Sequence, residues 1–379
     1  MHIVLVAGEA SGDQLGAALI DALRERWPGA QFSGVCGPKM RAAGCQAWAA
    51  SDELAVMGVA EVVGHLPRLL RLRRELVSRC SALRPDLFIG IDAPEFNLGL
   101  EKRLKQRGLR TVQYVSPQVW AWRQGRVRHM AAACDLVLCL LPFEPDFYTQ
   151  HGVQAEFVGH PLADQFGARS DRESARAALG VDPAAPVIAL LPGSRQGEVA
   201  RLGPLFASTA AWLARHRAQL RFIAALLNDH LAEQFKQYAS AQGADVACHV
   251  GKARAVLAAA DVVIVASGTA TLETLLSKRP MVVAYRLAPA TAWLIRRFNL
   301  VKSPYFAQPN LLAGERLVPE FFQEAATADV LGQAALGWLD HPERSAALIA
   351  HFDRIHETLR CDGARRAVAA IARLMEPGL

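Results

Sequence analysis

Short, continuous apolar runs rich in Val, Ile and Leu alternate along this chain with longer stretches in which apolar residues recur every three or four positions. In the first half the runs fall at 2–7, 31–35, 86–91, 111–115, 135–139 and 154–158. In the second half they fall at 187–191, 220–225, 245–249, 261–265 and 281–285. Brief runs with no polar alternation predict strands buried on both faces. The helical patterns between them predict βαβ units and parallel sheets. The character changes between the two sets. Gly159-His160-Pro161 closes one strand, residues 169–176 are polar and charged, and Asp182-Pro183-Ala184-Ala185-Pro186 leads into the next strand. Residues 160–185 therefore read as a junction between a domain spanning 1–165 and one spanning 186–345. The helical residues 346–379 are expected to pack back onto the first domain. Two such domains facing each other would hold a ligand in the crevice at the C-terminal ends of their strands.

Composition sharpens this. The 379 residues are 52% hydrophobic and 21% charged, enough for large cores and unlike a disordered chain. The formal net charge of +6 suits anionic partners. Seven cysteines are scattered without a C-x-x-C, which predicts reduced thiols in a cytoplasmic protein and no structural zinc. The chain enters a strand at once, so no signal peptide is expected. No apolar run reaches the roughly 18 residues of a membrane span.

The candidate chemistry sits where strands run into helices. In "VAGEASGD" (6–13) and the three residues after it the glycines fall at 8, 12 and 16, which is not the dinucleotide fingerprint, and Glu9 would repel a pyrophosphate. It reads either as a tight turn or as a site for hydroxyls, with Glu9 and Asp13 accepting and Ser11 donating. "FIGIDAPEFN" (88–97) delivers Asp92 at a strand end, as a general base or as a helix N-cap. "YVSPQVWAWR" (114–123) brings Trp120, Trp122 and Arg123, either to the crevice or to the core. "LLPGSRQGEV" (190–199) offers loop N–H groups, Ser194 and Arg195 to a phosphate, or is a turn with an ordinary surface arginine. In "DVVIVASGTATLETL" (261–275), Ser267, Gly268 and Thr269 open a helix that is either an ordinary capped one or suited to an anion, with Glu273 one turn on, where it could accept both hydroxyls of a ribose. His160, at the junction, is a third base candidate, or orients phosphate, or holds the hinge.

Two stretches mix apolar and basic residues. In "LPRLLRLRRELVSR" (66–79) Leu66, Leu69, Leu70, Leu76 and Val77 share a face flanked by Arg68, Arg71, Arg73 and Arg74. "TAWLIRRFNLVKSPYF" (291–306) is similar. Both read as contacts with an anionic membrane or as ordinary surface helices. No RNA-binding pattern or helix-turn-helix stands out, so nucleic acid is not an expected partner.

Taken in order, "GEASGD", "GIDAPEFN", "YVSPQVWAWR", "FVGHPLAD" (157–164), "LPGSRQGEV", "SGTATLE" and "VKSPYFAQPNLLAGERLVPEFFQ" (301–323) resemble the lipid-A-disaccharide synthase family over nearly the whole chain. Gln308 departs from that pattern, where leucine is expected. The resemblance implies an α/β fold of two Rossmann-like parallel-sheet domains facing a crevice, the GT-B type. It implies an inverting transfer of 2,3-diacylglucosamine from UDP-2,3-diacylglucosamine to lipid X (2,3-diacylglucosamine 1-phosphate). The products would be UDP and the β-1,6-linked disaccharide 1-phosphate. It implies no metal or organic cofactor and a peripheral place on the cytoplasmic face of the inner membrane; a homo-oligomer stays open. By resemblance Asp92 is the base, Glu9 and Ser11 serve activity or ligand binding, Arg195 binds phosphate, and Asn310 and Gln323 join the nucleotide site. Two other readings remain from the residues: a different GT-B enzyme such as a UDP-sugar 2-epimerase, or a non-enzymatic lipid- or nucleotide-binding protein.

Overall fold

Among the described residues of the computed structural model every strand pairing is parallel, in two separate sheets. The structure is described for residues 1–54, 59–117, 119–120, 124–167, 170–288, 293, 297 and 303–376, without the side chains of 10, 59–65 and 124. Trp122, Arg123 and most of 291–306 therefore lie outside the described residues. The chain divides into two compact units, Met1–Asp164 with Thr358–Leu379, and Gln165–Glu357. Residues 346–357, expected with the first domain, belong to the second.

Unit 1 holds β1 (His2–Ala7), β2 (Gln31–Cys36), β3 (Cys45–Ala50), β4 (Leu87–Ile91), β5 (Arg110–Tyr114), β6 (Leu136–Cys139) and β7 (Ala155–Phe157), ordered β3-β2-β1-β4-β5-β6-β7. The continuous apolar runs follow from burial on both faces. Ile3, Leu5 and Ala7 of β1 pack with Leu19, Ile20 and Leu23 of the helix Glu9–Arg26 and with Ala367, Val368, Ala370 and Ile371 of the helix Gly363–Met375. Val4 and Val6 pack on the other face with Leu72, Leu76, Val77 and Cys80 of the helix Val59–Leu83 and with Phe96, Leu100 and Leu104 of the helix Pro94–Lys105. Each large aliphatic side chain so buried contributes roughly 1.5–3 kcal/mol.

Unit 2 holds β8 (Val187–Leu191), β9 (Arg221–Leu226), β10 (Ala247–Val250), β11 (Val262–Ala266), β12 (Met281–Tyr285) and β13 (Glu320–Phe322), ordered β10-β9-β8-β11-β12-β13. In both sheets the strand order reverses beside the first strand of the unit, between β1 and β4 and between β8 and β11. Ligands of open α/β sheets bind outside the carboxyl ends of the strands at such a reversal.

The polypeptide passes between the units twice, at 164/165 and at 357/358. On the unit 1 side the passages are tied together. His160 N–H donates to the Leu359 carbonyl at 2.9 Å. The Asp164 carboxylate accepts from the N–H groups of Asp362 and Gly363 at 3.0 and 2.9 Å, capping the helix Gly363–Met375. Gly159, at φ +90°, is glycine for room as well as for conformation, since an added Cβ would lie 2.9 Å from the Leu359 carbonyl oxygen.

Among the described residues no helix is long and apolar enough to cross a membrane. In the helix Val59–Leu83, Leu72, Leu76 and Val77 face the core, while Leu66 is 48% exposed. Arg68, Arg71 and Arg74 are exposed. Arg73 differs from them: it lies over the Phe96 ring at 5.0 Å and donates to the Glu95 carbonyl at 3.1 Å, so it belongs to the packing of unit 1 and not to a basic outer face.

Candidate active site

The reversal in unit 1 is built from strained turns. Glu9 follows β1 at φ 58°, Asp92 and Ala93 follow β4 at 54° and 42°, and Val115 follows β5 at 76°. None is glycine. Left-handed backbone costs about 1–3 kcal/mol at such residues, and most at a β-branched one. Three neighbouring strand ends strained in the same way mark this edge as shaped for something other than stability. Gly8 lets the first two turns meet: an added Cβ would lie 3.1 Å from Ala93 Cβ.

Asp92 is half-buried. Its carboxyl is pushed above the ordinary carboxylate range mainly by burial and further by the nearby charge of Glu9, against the pull of the Ala93 N–H. It is not a helix cap: Ala93 takes the N-cap position of Pro94–Lys105, with no side-chain cap bond. Glu9 and Ser11 are exposed on the first turn of the adjoining helix. A carboxylate that holds its proton more tightly than usual, beside a second carboxylate, fits a base and a hydroxyl-orienting partner.

Two unit 1 expectations change. Asp13 is 3% exposed, and its carboxylate accepts from the N–H groups of Gly37, Lys39 and Met40 at 2.9, 2.9 and 3.0 Å. It holds the start of the helix Pro38–Ala42 and is not an acceptor for ligand hydroxyls. His160 Nδ1 accepts from Leu162 N–H at 3.2 Å, and burial lowers the imidazole to about 4. The ring is neutral at pH 7 with its proton on Nε2, so it can donate to a ligand but has no free lone pair with which to act as base. Trp120 is anchored: its Nε1 donates to buried Glu144 Oε1 at 3.0 Å and its ring meets Phe143 edge-on at 4.9 Å.

At the reversal in unit 2, β8 runs into Gly193 at φ 128° and β11 into Gly268 at φ 139°. Ser194, Arg195, Gly268 and Thr269 are exposed and Ser267 is half-buried. The loop amides expected for phosphate are already engaged, because Glu198 Oε2 accepts from Ser194 and Arg195 N–H at 3.0 and 3.3 Å. The Arg195 guanidinium stays 74% exposed, 3.9 Å from Glu198, so it and not the loop backbone is what this turn offers an anion. After β11, the helix Thr269–Leu276 starts with N–H groups that have no intrahelical acceptor. An added Cβ at Gly268 would meet open space. Ser267 Oγ donates to the Phe306 carbonyl at 2.8 Å and keeps its lone pairs. Glu273, one turn along, is half-buried, its carboxyl raised by burial and lowered by Arg254.

Asn310 is structural, and Gln323 is partly engaged. Asn310 is fully buried, donates to Val318 O and Glu320 Oε1 at 2.9 Å each, and accepts from Leu317 and Val318 N–H at 2.8 and 2.9 Å. All four of its bonding positions are filled, and none is left for a nucleotide. Gln323, at φ 55°, accepts from Leu287 N–H at 3.3 Å and donates to Leu287 O at 3.4 Å. Glu320, which sequence reading did not single out, binds Asn310 and the N–H groups of Phe306 and Ala307 at 2.9, 3.0 and 2.8 Å. It is the residue that shapes this segment. Glu198 was likewise unsignalled, although a Glu three positions into a helix is a capping pattern.

Solved structures of the same fold define its class. A UDP-GlcNAc 2-epimerase from Neisseria meningitidis superposes with a TM-score of 0.65 over 100% of both chains at 9% identity. A calicheamicin glycosyltransferase does so at 0.62, over 100% of this chain and 99% of the other, at 16% identity. The fold is thus the GT-B type, two parallel-sheet α/β domains. The family model for lipid-A-disaccharide synthetase matches residues 3–371. Lipid-A-disaccharide synthase of Alkalilimnicola ehrlichii is 53% identical over 375 residues, 98% of each chain. That of Xanthomonas campestris pv. campestris is 50% identical over 377 residues, 99% of this chain and 86% of the relative. The chain belongs to the lipid-A-disaccharide synthase family, and so to the glycosyltransferases.

Proposed function

We propose that this protein moves 2,3-diacylglucosamine from UDP-2,3-diacylglucosamine to the 6-hydroxyl of lipid X, with inversion, giving the β-1,6 disaccharide 1-phosphate and UDP. The observation that carries the proposal is Asp92, a carboxyl raised by burial and borne on strained backbone at the β1/β4 reversal of a family member. Asp92 takes the hydroxyl proton as the oxygen attacks the anomeric carbon, and Glu9 orients the acceptor. In unit 2, Glu273 accepts from the ribose hydroxyls. The start of the helix Thr269–Leu276 and Arg195 take up the negative charge that grows on UDP as it leaves. The acyl chains place the reaction at an anionic membrane surface, on the cytoplasmic face. Exposed Leu66, Arg71 and Arg74 of one helix and exposed Trp293 and Arg297 support that contact.

The test is product analysis with purified protein and both substrates, followed by steady-state kinetics of Asp92→Asn and Glu9→Gln. General-base assistance is worth about 10²–10⁴-fold, so Asp92→Asn should lower kcat by that much with UDP binding kept. Glu9→Gln should raise KM for lipid X more than it lowers kcat. Near-wild-type turnover in Asp92→Asn with the loss in Glu9→Gln would move the base to Glu9. Release of UDP without lipid X would point to epimerase chemistry instead.

A further inference from the structure

Beneath Asp92 lie two buried side-chain amides. Asn97, on the helix Pro94–Lys105, and Gln113, on β5, are both at 0% exposure. Their NH2 groups converge on one atom. Asn97 Nδ2 donates to the Asp92 carbonyl at 2.9 Å, and Gln113 Nε2 donates to it at 3.1 Å. The same two groups reach carbonyls at the ends of three adjacent strands. Asn97 meets Val6 O at 3.2 Å and Ile91 O at 3.5 Å. Gln113 meets Tyr114 O at 3.4 Å and Val115 O at 3.1 Å. Neither amide can be turned over, because its oxygen would then face three carbonyl oxygens.

We propose that Asn97 and Gln113 are positioning residues for the transfer: by holding the Asp92 carbonyl from below they fix the left-handed turn that carries its carboxylate. This rests on Asp92 being the base. Three further observations support it. The turns held are the strained ones, Asp92 and Val115 at φ 54° and 76°. The other ends of the amides, Asn97 Oδ1 and Gln113 Oε1, are buried with no hydrogen-bond partner. A core built for stability alone would satisfy or replace such atoms, so it is the donating half that the fold retains. Finally, β4 makes room for this face of the helix with Gly90, where an added Cβ would clash with Glu101 Oε1 and lie 2.9 Å from Asn97 Cβ.

The experiment is steady-state disaccharide formation by the full chain carrying Asn97→Asp or Gln113→Glu, each close in shape but without the donating NH2. Misplacing a catalytic group by about 1 Å costs on the order of 10²-fold, so each change should lower kcat by about that factor, with both KM values and UDP affinity within about twofold. Added to Asp92→Asn, either change should remove less than about threefold more, because residues acting through one group are not additive. Thr111→Val is the control. It lies on the same strand and removes a buried bond to Ala133 O of 2.7 Å far from the turn, so it should lower the melting temperature and keep kcat. Folded Asn97→Asp and Gln113→Glu proteins with kcat within about threefold of wild type overturn the proposal, as does a full further loss on the Asp92→Asn background. Should Asn97→Asp not fold, Gln113→Glu is read in the same way. Undiminished turnover in Asp92→Asn alone refutes the base assignment instead, and the single variants still report whether the amides matter.

Discussion

Glu101 makes a sharp prediction about stability and pH. It is fully buried on the helix Pro94–Lys105, one turn beyond Asn97, and burial pushes its carboxyl up to about 8 from an ordinary value of 4.5. Cys134 Sγ donates to Glu101 Oε2 at 3.1 Å, and Oε1 has no partner. The folded chain therefore holds one proton between pH 4.5 and 8 that the unfolded chain releases. The pKa is raised in the folded state, so the stability it brings is complete below pH 4.5 and is lost as pH rises towards 8. One proton amounts to about 1.4 kcal/mol per pH unit, or about 2.7 kcal/mol between pH 5.5 and 7.5. Glu101→Gln keeps the shape, removes the proton equilibrium and so removes this slope. Urea unfolding of unit 1 in wild type and Glu101→Gln, followed across that range, should show the variant gaining on wild type by that amount. The slope decides and the intercept does not, because the new amide brings its own constant cost. A stability difference that stays flat with pH would mean that Glu101 is ionised in the fold, and the reasoning would fail.

Glu273→Ala removes the acceptor proposed for the ribose, so UDP should bind about 10- to 150-fold more weakly by calorimetry, the equivalent of roughly 1.5–3 kcal/mol; unchanged affinity would remove Glu273 from the site. Asp13→Ala strips three backbone N–H groups of their partner and should cost about 2–3 kcal/mol in thermal or denaturant unfolding, while the folded variant keeps its KM for lipid X; a selective rise in KM would return Asp13 to the acceptor side. The protein should pellet with anionic vesicles at low salt, and Arg71→Ser with Arg74→Ser should weaken this by about 1 kcal/mol each; indifference to vesicles at low salt would make Val59–Leu83 an ordinary surface helix.

Most of the strands that could be read from sequence are those buried on both faces, where β-branched and aliphatic runs are required; the half-buried β7 and β10 were read as well, from shorter runs. β3, Cys45–Ala50, shows half-buried and exposed positions and little β-branching, and β13 is three residues long, so neither leaves such a mark. The positions of Asp92, Glu9, Ser267 and Glu273 were legible because strand ends and helix starts were. Their backbone was not: positive φ at Glu9, Asp92 and Val115 has no glycine to announce it. Asp13 and Asn310 were misjudged for a different reason. Residue type shows what a side chain can bond, whereas its partners lie on other segments: Gly37 to Met40 for Asp13, and Leu317 to Glu320 for Asn310. The amides under Asp92 escaped notice for the same reason, since Gln113 sits in a strand where it reads as one polar break among apolar neighbours.

The double passage between the units has a consequence for synthesis on the ribosome. Residues 165–357 are contiguous and hold everything unit 2 needs. Unit 1 is made first but lacks Ala367, Val368, Ala370 and Ile371, which close the face formed by Ile3, Leu5, Leu19 and Leu23. Roughly two hundred residues separate the two portions, or about 10–40 s of translation at about 5–20 residues per second. During that interval an apolar surface stands open on the nascent chain, a substrate for chaperones, while unit 2 is free to fold ahead of it. The turn bearing Asp92 is among the first parts translated, and the sheet beneath it is among the last to be sealed.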